Sequence, residues 1–162
     1  MYKVVVIFII GLIQATGLEY VNIFGAKPDI LFMLVVYFAL YVSREDAIKA
    51  AILGGLFKDI TSTALFGSNA AGFCLCALFL SRFGNHFYKQ KISAQVLLCG
   101  VLYYFTILVV FGINHTKIVN INFSVYSWII LKGAVYTGLV SPLVFFVLSK
   151  VFKDVLFTKK YI

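Results

Sequence analysis

The sequence predicts an all-α integral membrane protein, a single bundle of six transmembrane helices spanning residues 1–162. Three observations carry that expectation. Of 162 residues, 62% are hydrophobic and only 12% charged, with a mean hydropathy of +1.01, whereas a soluble domain carries about 25% charged residues. The apolar residues fall into six runs. Lys and Arg concentrate in alternate connections between those runs.

The runs cover residues 3–18, 29–43, 46–60, 68–82, 92–112 and 127–150. The first, behind Lys3, imitates a secretory signal, with Ala15-Thr16-Gly17 as a weak cleavage-like site. The chain stays hydrophobic beyond it, so the reading is an uncleaved first span. The second opens on Pro28-Asp29, good helix-start chemistry, because a carboxylate there accepts from otherwise orphaned N–H groups. The third and fourth are short for a bilayer core of about 30 Å. They are also rich in small residues: Ala47, Ala51 and Gly55 at four-residue spacing, Ala50 and Gly54 one step round, then Ser68, Gly72 and Cys76. Small residues let membrane helices approach closely, so these two spans are expected to pack together, against protein. The fifth run is long enough to cross. The sixth carries Ala134, Gly138 and then Ser141-Pro142, where a kink is expected because proline removes a backbone donor. Before it lies a loop from Asn114 ending in Tyr126-Ser127-Trp128, rings suited to headgroup depth. Asn114-His115-Thr116 and Asn122-Phe123-Ser124 match glycosylation sequons, a short pattern that arises often by chance.

With the N terminus in the cytoplasm and six alternating spans, ten basic residues fall inside: Lys3, Arg44, Lys49, Arg82, Lys89, Lys91, Lys150, Lys153, Lys159 and Lys160. Three fall outside, Lys27, Lys58 and Lys117, while Lys132 falls within the sixth run near its outer end. That asymmetry places both termini in the cytoplasm. It also accounts for the net charge of +8 without nucleic acid as a partner.

Charges at bilayer depth are costly and therefore informative. Asp29, Lys58 and Asp59 all map to the outer ends of their spans. Neighbours on a helix diverge by about 100°, so Lys58 and Asp59 cannot share a face. Lys58 is expected to snorkel to the headgroups while Asp59 turns inward. Asp29 is either a cap or a partner contact. Asp59 stands at a helix C-terminal end, where a negative charge opposes the dipole. It either makes an inward contact or caps the turn or helix that follows. The chemistry-bearing residues form no catalytic set: no His/Asp/Ser grouping on one side, no paired intramembrane carboxylates and no phosphate loop. Cys74, Cys76 and Cys99 lie inside apolar runs without the further ligands a metal set needs. No enzyme activity, cofactor or metal is expected.

The stretch from Lys27 to Gly72, KPDILFMLVVYFALYVSREDAIKAAILGGLFKDITSTALFGSNAAG, resembles the rod shape-determining MreD family. That family shows a Pro-Asp opening an apolar helix, then a small-residue helix ending in a Gly-rich, Asp-bearing segment. A short polar turn and a Gly-x-Asn/His-like helix start follow. The matching positions are Pro28, Asp29, Gly54, Gly55, Asp59, Gly67 and Asn69, which are the candidate partner-binding or structural residues; Lys58 is outside the pattern. The resemblance implies a multi-pass protein of the bacterial inner (cytoplasmic) membrane, working as a non-catalytic scaffold of the rod or elongation complex. Its implied partners are an MreC-like membrane protein and, indirectly, the MreB filament, RodA and a penicillin-binding transpeptidase. Peptidoglycan synthesis along the cell wall and cell shape would depend on it. The resemblance also implies a bundle similar to the substrate-binding subunits of energy-coupling-factor transporters. The alternative function is therefore a vitamin-binding subunit of such a transporter.

Overall fold

The computed structural model describes residues 2–17, 27–62, 65–84, 91–114 and 123–152, which form six helices. They are α1 (Tyr2–Gly17), α2 (Ile30–Tyr41), α3 (Arg44–Thr61), α4 (Ser68–Phe83), α5 (Ile92–Ile113) and α6 (Phe123–Val151). Two of them, α5 and the Ser124–Val151 part of α6, are long and apolar enough to cross a membrane.

The helix starts follow from local chemistry. Asp29 caps α2 by accepting from the Phe32 N–H at 3.0 Å. Ser43 caps α3, where its Oγ accepts from the Asp46 N–H at 3.1 Å and donates to the Asp46 carboxylate at 2.8 Å. Glu45 and Asp46 in that first turn complement the helix dipole. In α6, Pro142 has no N–H to offer the carbonyl of Gly138. The Ser141 hydroxyl donates to that carbonyl at 2.7 Å instead, so the helix runs through the proline with its backbone acceptor satisfied.

The centre of the bundle is α2. It packs against α1, α3, α4, α5 and α6, and nine of its 12 residues are buried. α2 reads ILFMLVVYFALY, apolar on every side, a pattern open to a bundle interior or a lipid-facing span, and here it is the interior. At about 1.5 Å per residue it is much shorter than a bilayer core, yet its neighbours, not lipid, surround it. Tyr37 gathers the aromatic end of this core, with its ring 5.1 Å from Tyr41, 5.7 Å from Phe145 and 6.3 Å from Phe152.

Small residues set the closest crossings. A Cβ built on Gly55 would lie 2.3 Å from the Ala70 Cα, so α3 and α4 meet backbone to backbone. One on Gly138 would lie 2.8 Å from the Val96 carbonyl oxygen, which fixes α5 against α6. The expected pairing of the third and fourth helices is found. Their expected enclosure by protein is not, because Ile52 and Leu53 of α3 and Leu75, Phe79 and Phe83 of α4 are exposed. The sequence pattern of small residues marks one contact stripe per helix and does not say what covers the remaining faces.

Two further expectations change. The sixth helix begins at Phe123, so Tyr126 and Trp128 are helical and not part of a loop; Tyr126 stacks on Phe111 with centroids 4.3 Å apart. Asn114 is buried at the end of α5, not displayed in a loop. Lys3, His115 and Lys117 lie outside the side chains or residues described, as do His86, Lys89, Asn122, Lys153, Lys159 and Lys160.

Candidate functional site

Two carboxylates organise the end of the bundle where α1 and α3 finish and α2 and α4 begin. Asp29, 3% exposed, sits in the interior at the head of α2. Its Oδ1 accepts from the Phe32 N–H and from the Gln14 side-chain amide of α1, both at 3.0 Å. Its Oδ2 accepts from the ammonium of Lys58 on α3. Gln14 closes the bridge with its other end, since its Oε1 accepts from the Leu31 N–H at 2.8 Å. The backbone N–H of Asp29 donates to the Thr137 hydroxyl of α6 at 3.3 Å. Four helices are thus tied through one residue. Pro28 is buried immediately before it, where its missing N–H leaves no donor to satisfy.

Lys58 is the main correction to the sequence reading. It does not reach out to headgroups. Its ammonium points into the bundle, 5.2 Å from the Phe73 ring centroid and 5.7 Å from that of Tyr103, against Asp29. The distance along the chain hid the pairing: Asp29 and Lys58 are separated by 29 positions, and the neighbour that looked like the partner, Asp59, lies about 100° round the helix. Burying a charge in an apolar interior is costly unless it is paired and hydrogen-bonded. Asp29 is met by Lys58, an amide and a backbone N–H, and the Lys58 ammonium by that carboxylate and two aromatic faces.

Asp59, 4% exposed, serves a different helix from its own. Its Oδ2 accepts from the N–H groups of Gly67 at 2.9 Å and Ala70 at 3.3 Å. Its Oδ1 accepts from the Asn69 N–H at 3.0 Å and the Asn69 side-chain amide at 2.9 Å, with the Ser68 hydroxyl at 3.5 Å. The residue at the N-cap position of α4 is Gly67, which has no side chain to cap with, and the carboxylate from α3 takes over the task. The unfavourable position at the end of α3 is thereby offset by a favourable one at the start of α4. Gly67 has φ +91°, with open space where a Cβ would lie; the backbone conformation, not crowding, calls for glycine.

Of the seven candidate positions, the structure brings Asp59, Gly67 and Asn69 into one cap and sets Gly55 in the crossing just beneath it. Pro28 and Asp29 belong to the neighbouring ion-pair cluster. Gly54 meets only Leu31 at ordinary contact distance, 3.6 Å. The sequence reading omits Gln14, Thr137 and Asn114. Asn114 accepts from the Leu65 N–H at 2.6 Å and donates to the Val110 carbonyl at 2.8 Å, which pins the α3–α4 connection to the end of α5. Gln14 carried a signal: it is an isolated amide in an otherwise apolar run, and such a group in a membrane helix needs a partner.

Beside the ion pair lies an open cavity of about 290 Å³, bounded by α1, α2, α3 and α5, with Gln14, Lys27, Asp29, Phe57, Lys58, Thr61 and Tyr103 in its walls. Cys76 and Cys99 are buried free thiols and Cys74 is a half-buried one.

Among known proteins, the family model described as rod shape-determining protein MreD matches residues 1–151. No curated protein and no solved structure matches the chain. The Pro-Asp helix start, the Gly-rich close crossing and the Asp59 cap all lie inside the matched range, which covers nearly the whole chain, and the chain belongs to the MreD family of rod shape-determining membrane proteins.

Proposed function

We propose that this protein is a non-catalytic scaffold of the bacterial rod complex, a single domain whose six helices all cross the inner membrane with both termini in the cytoplasm. It would act by binding an MreC-like membrane protein and, through it, the filament and synthesis enzymes of lateral wall growth. The carrying observation is how the polar groups of the interior are used. Asp29 is engaged by Lys58, Gln14 and the α2 backbone, and Asp59 by the start of α4. These groups hold helices together. The outer faces of α4, α5 and α6 present Leu75, Phe79, Phe105, Leu139, Leu143 and Phe146, surfaces suited to lipid and to partner helices.

The six-span arrangement is supported by chain direction. Arg44, Arg82, Lys91 and Lys150 lie at helix starts or ends that share one end of the bundle, whereas Asp29, Lys58 and Asp59 share the other. The short α2 fits this arrangement because its ends are met by protein, not lipid. A vitamin-binding subunit is the second reading, and the cavity beside Asp29 and Lys58 is the observation in its favour. Purification from mild detergent tests the two. Stable co-isolation with an MreC-like protein supports the scaffold. Isolation with a bound vitamin and an ATPase module, without such a partner, rejects it.

A further inference from the structure

We propose that a second cavity, between the end of α2, the start of α5 and the second half of α6, seats the ester carbonyl of a glycerophospholipid from the cytoplasmic leaflet, with Tyr37 as the donor that recognises it. The inference rests on the six-span arrangement proposed above, which sets the leaflet and the depth of the site.

The chemistry comes from one unspent donor. The cavity, of about 370 Å³, is walled by Tyr37, Tyr41, Ile92, Phe145 and Phe146, with Gln95 and Ser149 as further polar members. Those two are already engaged: the Gln95 amide donates to the Tyr41 hydroxyl at 3.0 Å, and the Ser149 hydroxyl donates to the Phe146 carbonyl at 2.8 Å. Pro142, also in the wall, has no N–H. Tyr37 differs. It is 2% exposed, yet its hydroxyl has no hydrogen-bond partner among the described residues. A buried hydroxyl ordinarily finds one, because it has given up its hydrogen bonds to water. An aromatic wall with a single unused O–H calls for an uncharged acceptor on an apolar body. A phosphate or carboxylate would bring a charge among wall residues that include no cation, at the cost of its hydration. A sugar would bring several hydroxyls to one partner.

Depth and surroundings favour a lipid ester. Tyr41 is the last residue of α2, Ile92 the first of α5, and Ser149 lies two residues before the end of α6. Tyr37 is about one turn in from Tyr41. The site is thus placed just inside the helix ends, at the level where ester carbonyls lie between headgroups and acyl chains. Lys150, with its ammonium 4.6 Å from the Phe146 ring centroid, stands on the headgroup side. Towards the bilayer centre, Phe146, Leu143 and Leu139 form an exposed apolar stripe on α6, along which an acyl chain can lie. At about 370 Å³ the cavity holds the ester and the start of one chain, not a whole lipid.

The test uses the full chain in nanodiscs containing equal amounts of a diacyl phosphatidylethanolamine and its dialkyl ether analogue, identical in headgroup and chain length. Lipid retained after transfer to detergent is counted by native mass spectrometry. The expected result is one diacyl lipid retained per chain, favoured over the ether by about fivefold, the effect of one neutral hydrogen bond. Tyr37→Phe keeps the ring and is expected to bring the ratio to one, with no fall in melting temperature in lipid-free detergent. Ser149→Phe fills the cavity from its rim, leaves Tyr37 in place, and is expected to abolish retention of both lipids. A ratio of one in the unaltered chain, a preference that survives Tyr37→Phe, or retention unchanged by Ser149→Phe overturns the proposal. So does release of the diacyl lipid by a short-chain benzoquinone, which would assign the hydroxyl to a quinone carbonyl, or by an MreC-like partner, which would make the cavity a protein contact. Lipid counting reads the site whichever way the chain is oriented, and cysteine labelling from outside the cell reads the topology, so the two failures are distinguishable.

Discussion

The Lys58 ammonium and the Asp29 carboxylate meet inside the bundle, between the last turn of α3 and the first residue before α2. The pair is one node of a cluster in which Gln14 brings in α1 and Thr137 brings in α6. Loss of either charge leaves the other buried without its counter-ion. Lys58→Met and Asp29→Asn are each expected to destabilise the fold, by about 3–5 kcal/mol for a fully buried pair and less here because Lys58 keeps some exposure. The double variant is expected to be more stable than the sum of the two losses. Thermal denaturation in detergent, run as a double-mutant cycle, reads the coupling; strict additivity would mean the pair contributes nothing.

Asp59 carries the α4 cap alone, since Gly67 has no side chain. Asp59→Ala strips acceptors from three backbone N–H groups and is expected to cost about 2 kcal/mol, the upper range for a lost cap. The signature is a lower protein level and a lower melting temperature. Normal level and melting behaviour combined with failed partner binding would instead make Asp59 a contact residue.

Adjacent glycines on α3 separate by geometry. Gly55→Ala drives a methyl into the Ala70 backbone, at 2.3 Å from its Cα, and is expected to part α3 from α4. Gly54→Ala meets only the Leu31 side chain at 3.6 Å and is expected to be tolerated, with a gain in helix propensity. Expression and melting temperature of the two variants make the comparison, and equal behaviour would refute the crossing.

Tyr37 is 2% exposed, and its hydroxyl is the buried side-chain polar atom without a hydrogen-bond partner among the described residues. Tyr37→Phe removes an unsatisfied group and keeps the ring contacts. It is expected to be neutral or to stabilise by about 1 kcal/mol. A loss of stability on denaturation would show that the hydroxyl is partnered.

For the span arrangement, a cysteine introduced at Asn120 is expected to react with an impermeant thiol reagent added outside the cell, and one at Gln90 is not. The reverse pattern would overturn the proposed orientation.

The membrane character, the six helices and the positions Asp29 and Asp59 themselves were legible in the sequence, because composition and helix-start chemistry depend only on local order. Pro28-Asp29 announced a helix start, and small residues at four-residue spacing announced the α3–α4 contact. What the chain order concealed was which partners meet. Lys58 stands next to Asp59 in sequence but faces Asp29, since one step along a helix turns a side chain about 100° while folding brings residues 29 positions apart into contact. Likewise, the helix at the centre proved to be α2 and not the small-residue pair. Hydropathy reports that a run avoids water, but not whether lipid or protein replaces it. Only the packed bundle decided that.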